Sequence, residues 1–174
     1  IIEQKTTNEN GQISFLADLP VDGKYYVKEL KAPDGFVTTE EKQEFTFEYK
    51  GENVTEVPYE FTCENEPTMV ELTKSDLTTG EELPGAHLKE TDKDGNIVDE
   101  WISEKNPHVI KELTVGKKYT LTETKPADGF VTAESIDFTV ENTAEIQKHE
   151  MKDDITKVQI SKTDITGDKE IPGA

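Results

Sequence analysis

The sequence predicts an all-β chain of tandem β-sandwiches, and three observations carry that prediction. Short runs of alternating Val, Ile, Thr, Tyr and Phe recur, as in YYVKEL, EFTFEY, KYTLTET and SIDFTV, which is the period of half-buried strands. Asp-Gly pairs beginning at 22, 34, 94 and 128 punctuate those runs with tight turns. No intervening stretch has the apolar period of a helix.

Composition narrows the function classes. Only 32% of the 174 residues are hydrophobic, so any core must be thin. Low apolar content with high charge also fits disorder, but the alternating strand pattern argues for folding. Nineteen Lys and Arg against 38 Asp and Glu leave a net charge of −19, which repels a phosphate backbone or an anionic lipid surface. Nucleic acid and membrane insertion are therefore not expected of this segment. No apolar run approaches the roughly 18 to 20 residues that cross a bilayer, and IIEQKTTNEN has no basic n-region, so an export signal is expected outside this chain. A lone cysteine, Cys63, excludes an internal disulfide and a thiolate-rich zinc site.

Internal repetition organises the elements. Residues 19–38 (LPVDGKYYVKELKAPDGFVT) align with 113–132 at a shift of 94, with 11 of 20 identical. Residues 68–86 (TMVELTKSDLTTGEELPGA) align with 156–174 at a shift of 88, with 9 of 19 identical. The unit is thus about 90 residues, with about six extra residues near 49–56 in the first copy. The expected domains are 1–67, the C-terminal part of one repeat; 68–155, a complete repeat; and 156–174, the first strand of a third. In the complete repeat the alternation predicts seven strands, at 70–74, 86–91, 97–102, 108–113, 119–124, 135–140 and 145–152. The Glu66-Pro67-Thr68 junction is too short for a flexible tether, so consecutive repeats are expected to stack.

Strand parity then singles out three positions. Val70, Leu72 and Lys74 share one face, which turns the lysine inward; Lys162 occupies the same place in VQISKTD. Tyr119, Leu121 and Glu123 share a face, as do Tyr25, Val27 and Glu29. Phe61, Cys63 and Asn65 share the face at the end of the first repeat, and Asp153 stands nine positions before Lys162 as Asn65 stands nine before Lys74. Buried ammonium and carboxylate groups are costly unless paired, so the spacing fits a structural ion pair with a hydrogen-bonded amide as well as it fits a reactive set.

TKSDLTTGEELPGA, YTLTETKPADGF and EMKDDITKVQISKTD resemble the collagen-adhesin B-type or SpaA-type prealbumin-like repeats of Gram-positive surface proteins and pilins. The match spans essentially the whole chain. The resemblance implies an inverse immunoglobulin-like sandwich, a surface stalk or adhesin role, and a self-formed lysine isopeptide bond. It assigns Lys74 as nucleophile, Asp153 as acceptor and Glu123 as proton-handling acid. In the first repeat it assigns Glu29 as acid and Asn65 as acceptor, and in the third only Lys162 is present. Physical chemistry makes the reaction reasonable, because desolvation lowers a lysine pKa toward the nucleophilic free amine and raises that of a buried acid.

Other signals read as structure. Asp92, Asp94 and Asn96 begin like a calcium loop, but Gly95 is one place early and Ser103 stands where the terminal Glu belongs, so a hairpin turn is expected and no metal. LPGA at 83–86 is a turn, Trp101 a core anchor, Cys63 a small buried hydrophobe, and His87, His108 and His149 lack metal spacing. No cofactor is expected, and no enzyme activity beyond a single self-cross-linking turnover. The functional expectation is a stalk repeat of an extracellular, cell-wall-anchored protein, anchored through sequence outside this chain. Its partners are neighbouring repeats, with a host or matrix ligand held by a distal domain. The rivals are a ligand-binding adhesive module, which predicts an exposed aromatic patch that strand parity does not supply, and an accessory β-sandwich of a secreted polysaccharide-degrading enzyme.

Overall fold

The structure is a computed structural model that describes residues 1–52, 54, 57–167 and 169–173. The chain forms two compact units, one of residues 1–32 and 38–65, the other of residues 33–37 together with 66 onward. Of the expected extra stretch at 49–56, Asn53, Thr55 and Glu56 lie outside the described residues, as do Asp168 and Ala174 of the expected third repeat.

In the first unit, strands β1 (Lys24–Lys28) and β2 (Lys42–Thr46) pair antiparallel with Tyr25 opposite Phe45. Phe45 gathers Tyr25, Phe47, Tyr59 and Phe61 around it at ring separations of 5.3–5.7 Å. The described residues build no second sheet across that face, so the ring cluster stays partly open: Tyr59 is 43% and Phe61 37% exposed. Strand parity predicted otherwise. For the same reason Cys63, expected to be buried, is exposed.

The second unit is the sandwich. Its strands are β3 (Met69–Asp76), β4 (His87–Asp92), β5 (Ile97–Ile102), β6 (His108–Lys111), β7 (Lys118–Lys125), β8 (Ile136–Thr139) and β9 (Gln147–Asp153). All seven expected strands are present, with ends within two residues of those predicted. One sheet has the order β6-β3-β9 and the other β5-β4-β7-β8. Every pairing is antiparallel except that of β3 with β9, which joins the first and last strands of the repeat in parallel. The core between the sheets holds Val70 and Leu72 of β3, Leu88 of β4, Tyr119 and Leu121 of β7, Phe138 of β8 and Met151 of β9. Burying each such side chain contributes about 1.5–3 kcal/mol, and the alternation along each strand supplies them from alternate positions. Trp101 packs against this core and stacks on His108 with centroids 4.1 Å apart. The Asp92 turn closes the β4–β5 hairpin, its Oδ1 accepting from the Asp94 and Asn96 amides at 2.9 Å each.

Repetition extends to individual hydrogen bonds. Val37 N donates to Glu66 O and Val131 N to Asp154 O, both at 2.9 Å, while Phe36 bridges Pro67 as Phe130 bridges Ile155. Residues 157–162, expected as a first strand, join no ladder among the described residues. The turn beyond them nevertheless forms, with Ile171 N donating to Lys162 O as Leu83 N does to Lys74 O, at 2.7 Å in each case. That turn closes on local contacts, whereas a strand needs a neighbour.

Candidate functional site

Three strands of the second unit bring the predicted residues together. The alternation of β3 turns Lys74 inward below Leu72, and its parallel neighbour β9 presents Asp153 two residues beyond Met151, which sits opposite Lys74. From the facing sheet, β7 contributes Glu123 on the parity of Tyr119 and Leu121. All three residues are buried, with exposures of 2% for Lys74, 1% for Asp153 and 4% for Glu123. Lys74 Nζ donates a short hydrogen bond to Asp153 Oδ1 and lies 2.9 Å from Glu123 Oε1. Glu123 Oε2 accepts from the Ala133 amide at 2.7 Å, which fixes the carboxyl from the far side.

Burial also acts on the Asp153 carboxyl. Burial raises the Asp153 carboxyl above its usual range; Lys74 opposes the rise, and Glu123, within hydrogen-bonding reach, adds to it. Asp153 Oδ2 is buried without a hydrogen-bond partner, and Glu123 Oε1 has only its ion pair with Lys74. The arrangement therefore places the Lys74 amine in contact with the Asp153 carboxyl, with the Glu123 carboxyl beside them. A cavity of about 500 Å³, lined in part by Leu72, Lys74, Trp101 and His108, opens beside the lysine.

The other expected residues are only half assembled. In the first unit Asn65 Nδ2 donates to Glu29 Oε2 at 2.8 Å, and the Thr39 amide donates to the same oxygen at 3.0 Å, as the Ala133 amide does to Glu123 Oε2. Both Glu29 and Asn65 are half-buried, and Lys162 is exposed. The structure thus unites Lys74, Glu123 and Asp153, pairs Glu29 with Asn65, and joins Lys162 to neither group.

Sequence reasoning missed one buried acid. Glu90 of β4 is 0% exposed, both its carboxyl oxygens lack partners, and its cross-strand neighbour on β5 is Asp99. Burial, assisted by Asp99, pushes its pKa up to about 7. The parity that exposed Lys74 also applies here, since Leu88 and Glu90 share a face, but no repeat of this strand elsewhere in the chain drew attention to it. Asp99 in turn accepts from His108 Nε2 at 2.8 Å.

Among the described residues no helix is long and apolar enough to cross a membrane, and no cluster of His, Cys, Asp and Glu is arranged to hold a metal ion. Comparison with curated proteins gives no match. Among solved structures, the Bacillus anthracis TIE protein is 31% identical with a TM-score of 0.54, over 86% of this chain and 28% of that one. This chain therefore spans little more than a quarter of that protein. BcpA, the major pilin subunit of Bacillus cereus, is 23% identical over 49% of this chain and 28% of its own, with a TM-score of 0.44. The shaft pilin SpaA from Lactobacillus rhamnosus GG is 16% identical over 79% of this chain and 66% of its own, with a TM-score of 0.46. The SpaA prealbumin-like fold domain model matches residues 1–60 and again 68–155, most of the sequence in two copies. With an all-β sandwich of matching extent beneath the second copy, the chain belongs to the SpaA family of prealbumin-like fold domains.

Proposed function

We propose that the chain is a stalk segment of a Gram-positive surface adhesin or pilin, and that residues 68–155 form a repeat locked by an isopeptide bond between Lys74 and Asp153. Residues 1–67 and 156–174 are then parts of the neighbouring repeats. The reading rests above all on one observation, the buried contact of Lys74 Nζ with the Asp153 carboxyl beside Glu123. In the reaction, the unprotonated amine of Lys74 attacks Cγ of Asp153, a new N–C bond forms, and a C–O bond breaks to release water. Glu123 takes a proton from the nitrogen and returns one to the departing oxygen, so the group is restored and atoms balance. Asp153 Oδ2, buried without a partner, is suited to be the oxygen that leaves. Fixing amine and carbonyl in contact replaces an encounter with an intramolecular step, worth up to about 7–11 kcal/mol in well-aligned cases. The event is a single turnover and makes the protein no enzyme.

Mechanical function follows from position. Lys74 lies on the first strand of the repeat and Asp153 at the end of the last, and these strands are neighbours. Tension entering before β3 and leaving after β9 would run through the covalent bond and bypass the sandwich. The bond encloses a 79-residue separation, and closing such a loop stabilises by about 4–5 kcal/mol on the disulfide entropy model. The partners on this reading are the adjoining repeats and, through a distal domain, a host or matrix ligand. The location is extracellular, with anchoring to the cell wall supplied by sequence outside this chain. Tryptic mapping tests the bond: an amidated Lys74 resists cleavage, and one branched peptide should hold both Lys74 and Asp153. Cleavage after Lys74 with a linear Asp153 peptide would reduce the site to a structural ion pair.

A further inference from the structure

Two copies of one turn differ in what covers them. At the first, Thr68 is 0% exposed: its amide donates to Gly35 O at 3.0 Å, its hydroxyl to Leu113 O at 2.7 Å, and its carbonyl accepts from the Glu112 amide at 3.0 Å. At the second, Thr156 donates to Gly129 O from its amide at 2.8 Å and from its hydroxyl at 3.0 Å, yet Thr156 is exposed. The glycines share a left-handed backbone, with φ of +90° at Gly35 and +91° at Gly129. A Cβ at Gly35 would stand 2.7 Å from Glu112 O and 2.9 Å from Glu112 Cβ, whereas one at Gly129 would meet nothing within 4 Å. Glu112 itself adopts φ +62°, a conformation costly for a residue with a side chain. That backbone places its amide on Thr68.

We infer that the Asp-Gly-Phe turn and the threonine at each repeat boundary form a socket, and that its occupant is the corner after the fourth strand of the repeat that follows, here Glu112–Leu113. The first socket, contributed by residues 33–37 and Thr68, is filled within the second compact unit. The Gly129–Thr156 socket takes the equivalent corner of the repeat that begins at Thr156. The three parts have separate duties. Glycine supplies the left-handed turn and the close approach, threonine ties turn to corner through three hydrogen bonds, and the corner brings the left-handed residue whose amide completes the set. Within the second compact unit, the turn at residues 33–37 and Thr68 are thereby tied to a corner far away in sequence.

This inference rests on the division into repeats proposed above but not on the covalent bond. The matched pair Gly35→Ala and Gly129→Ala tests it in the full chain, because both pay the same backbone strain and only the first meets Glu112. Amide hydrogen exchange at Thr68 and Glu112 is the readout. Gly35→Ala should accelerate exchange at both amides by about tenfold or more, while Gly129→Ala leaves them at the wild-type rate. Thr68→Val, which keeps shape and removes the hydroxyl, should accelerate Glu112 exchange more modestly, and it serves if Gly35→Ala fails to fold. Equal effects of the two alanines, or no change at Glu112 in Thr68→Val, would overturn the socket. Intact mass of each variant reads the Lys74–Asp153 bond independently, so failure of the socket and failure of the cross-link are told apart.

Discussion

The two units carry the same acid motif in different surroundings. Glu29 and Glu123 stand at corresponding positions, each accepts a backbone amide ten residues ahead, and each is followed by the same DGFVT turn. Around Glu123 a second sheet closes, with Lys74 and Asp153 nearly devoid of solvent; around Glu29 the described residues supply one two-stranded sheet and a half-buried Asn65. Local hydrogen bonding is thus encoded in the motif, and burial is not. It is the lysine strand and the sheet carrying it that take the acid out of water.

Removing the lysine should abolish that difference most severely. Lys74→Ala deletes the proposed nucleophile and leaves Glu123 and Asp153 buried without their cation, so loss of the proposed loop closure alone should cost about 4–5 kcal/mol, read as a large fall in Tm. Retention of the wild-type Tm would show that no covalent closure exists. Glu123→Ala should leave a folded sandwich without the bond, giving full-length mass and a Tm reduced by the missing closure; a cross-linked product formed at the wild-type rate would remove Glu123 from proton transfer.

Glu90, by contrast, is a buried acid with no cation beside it among the described residues. Its folded pKa of about 7 lies above the ordinary 4.5, so ionisation is disfavoured by the fold. The contribution to stability is fully present below pH 4.5, declines as pH rises toward 7, and stays lost above it. Tm should therefore fall between pH 5 and pH 8, and Glu90→Gln should flatten that profile; an unchanged slope in the variant would assign the pH dependence elsewhere. The groups facing this carboxyl, Asp99 on β5 and behind it His108 on β6, should be varied alongside it. Asn65→Ala should do least, about 1 kcal/mol or less, because its hydrogen bond to Glu29 is half exposed to water. A larger loss would mean that the first unit buries this pair more deeply than its two-stranded sheet allows.

Much of the fold was legible because strand alternation and turn residues are local signals. Val70, Leu72 and Lys74 reveal their face from spacing alone, and the repeat in sequence pairs each landmark with its copy. Lys74, Glu123 and Asp153 were accessible for that reason. Cys63 was not, since parity says which residues share a face but not whether another sheet covers it. Residues 157–162 failed similarly: the alternation of VQISK matches that of VELTK, but a ladder requires a neighbouring strand. Glu90 was legible in principle and overlooked for want of a repeated copy. The Gly35–Glu112 approach had no sequence signal at all, because it joins residues 77 positions apart through backbone shape.

A covalent bond between Lys74 and Asp153 would show itself in the intact mass of the denatured wild-type chain. The expected mass is lower than the sequence mass by one water and is restored in full by Lys74→Ala. A full sequence mass from protein that is folded, with Lys74 and Asp153 buried, would contradict it and leave the cluster a structural ion pair.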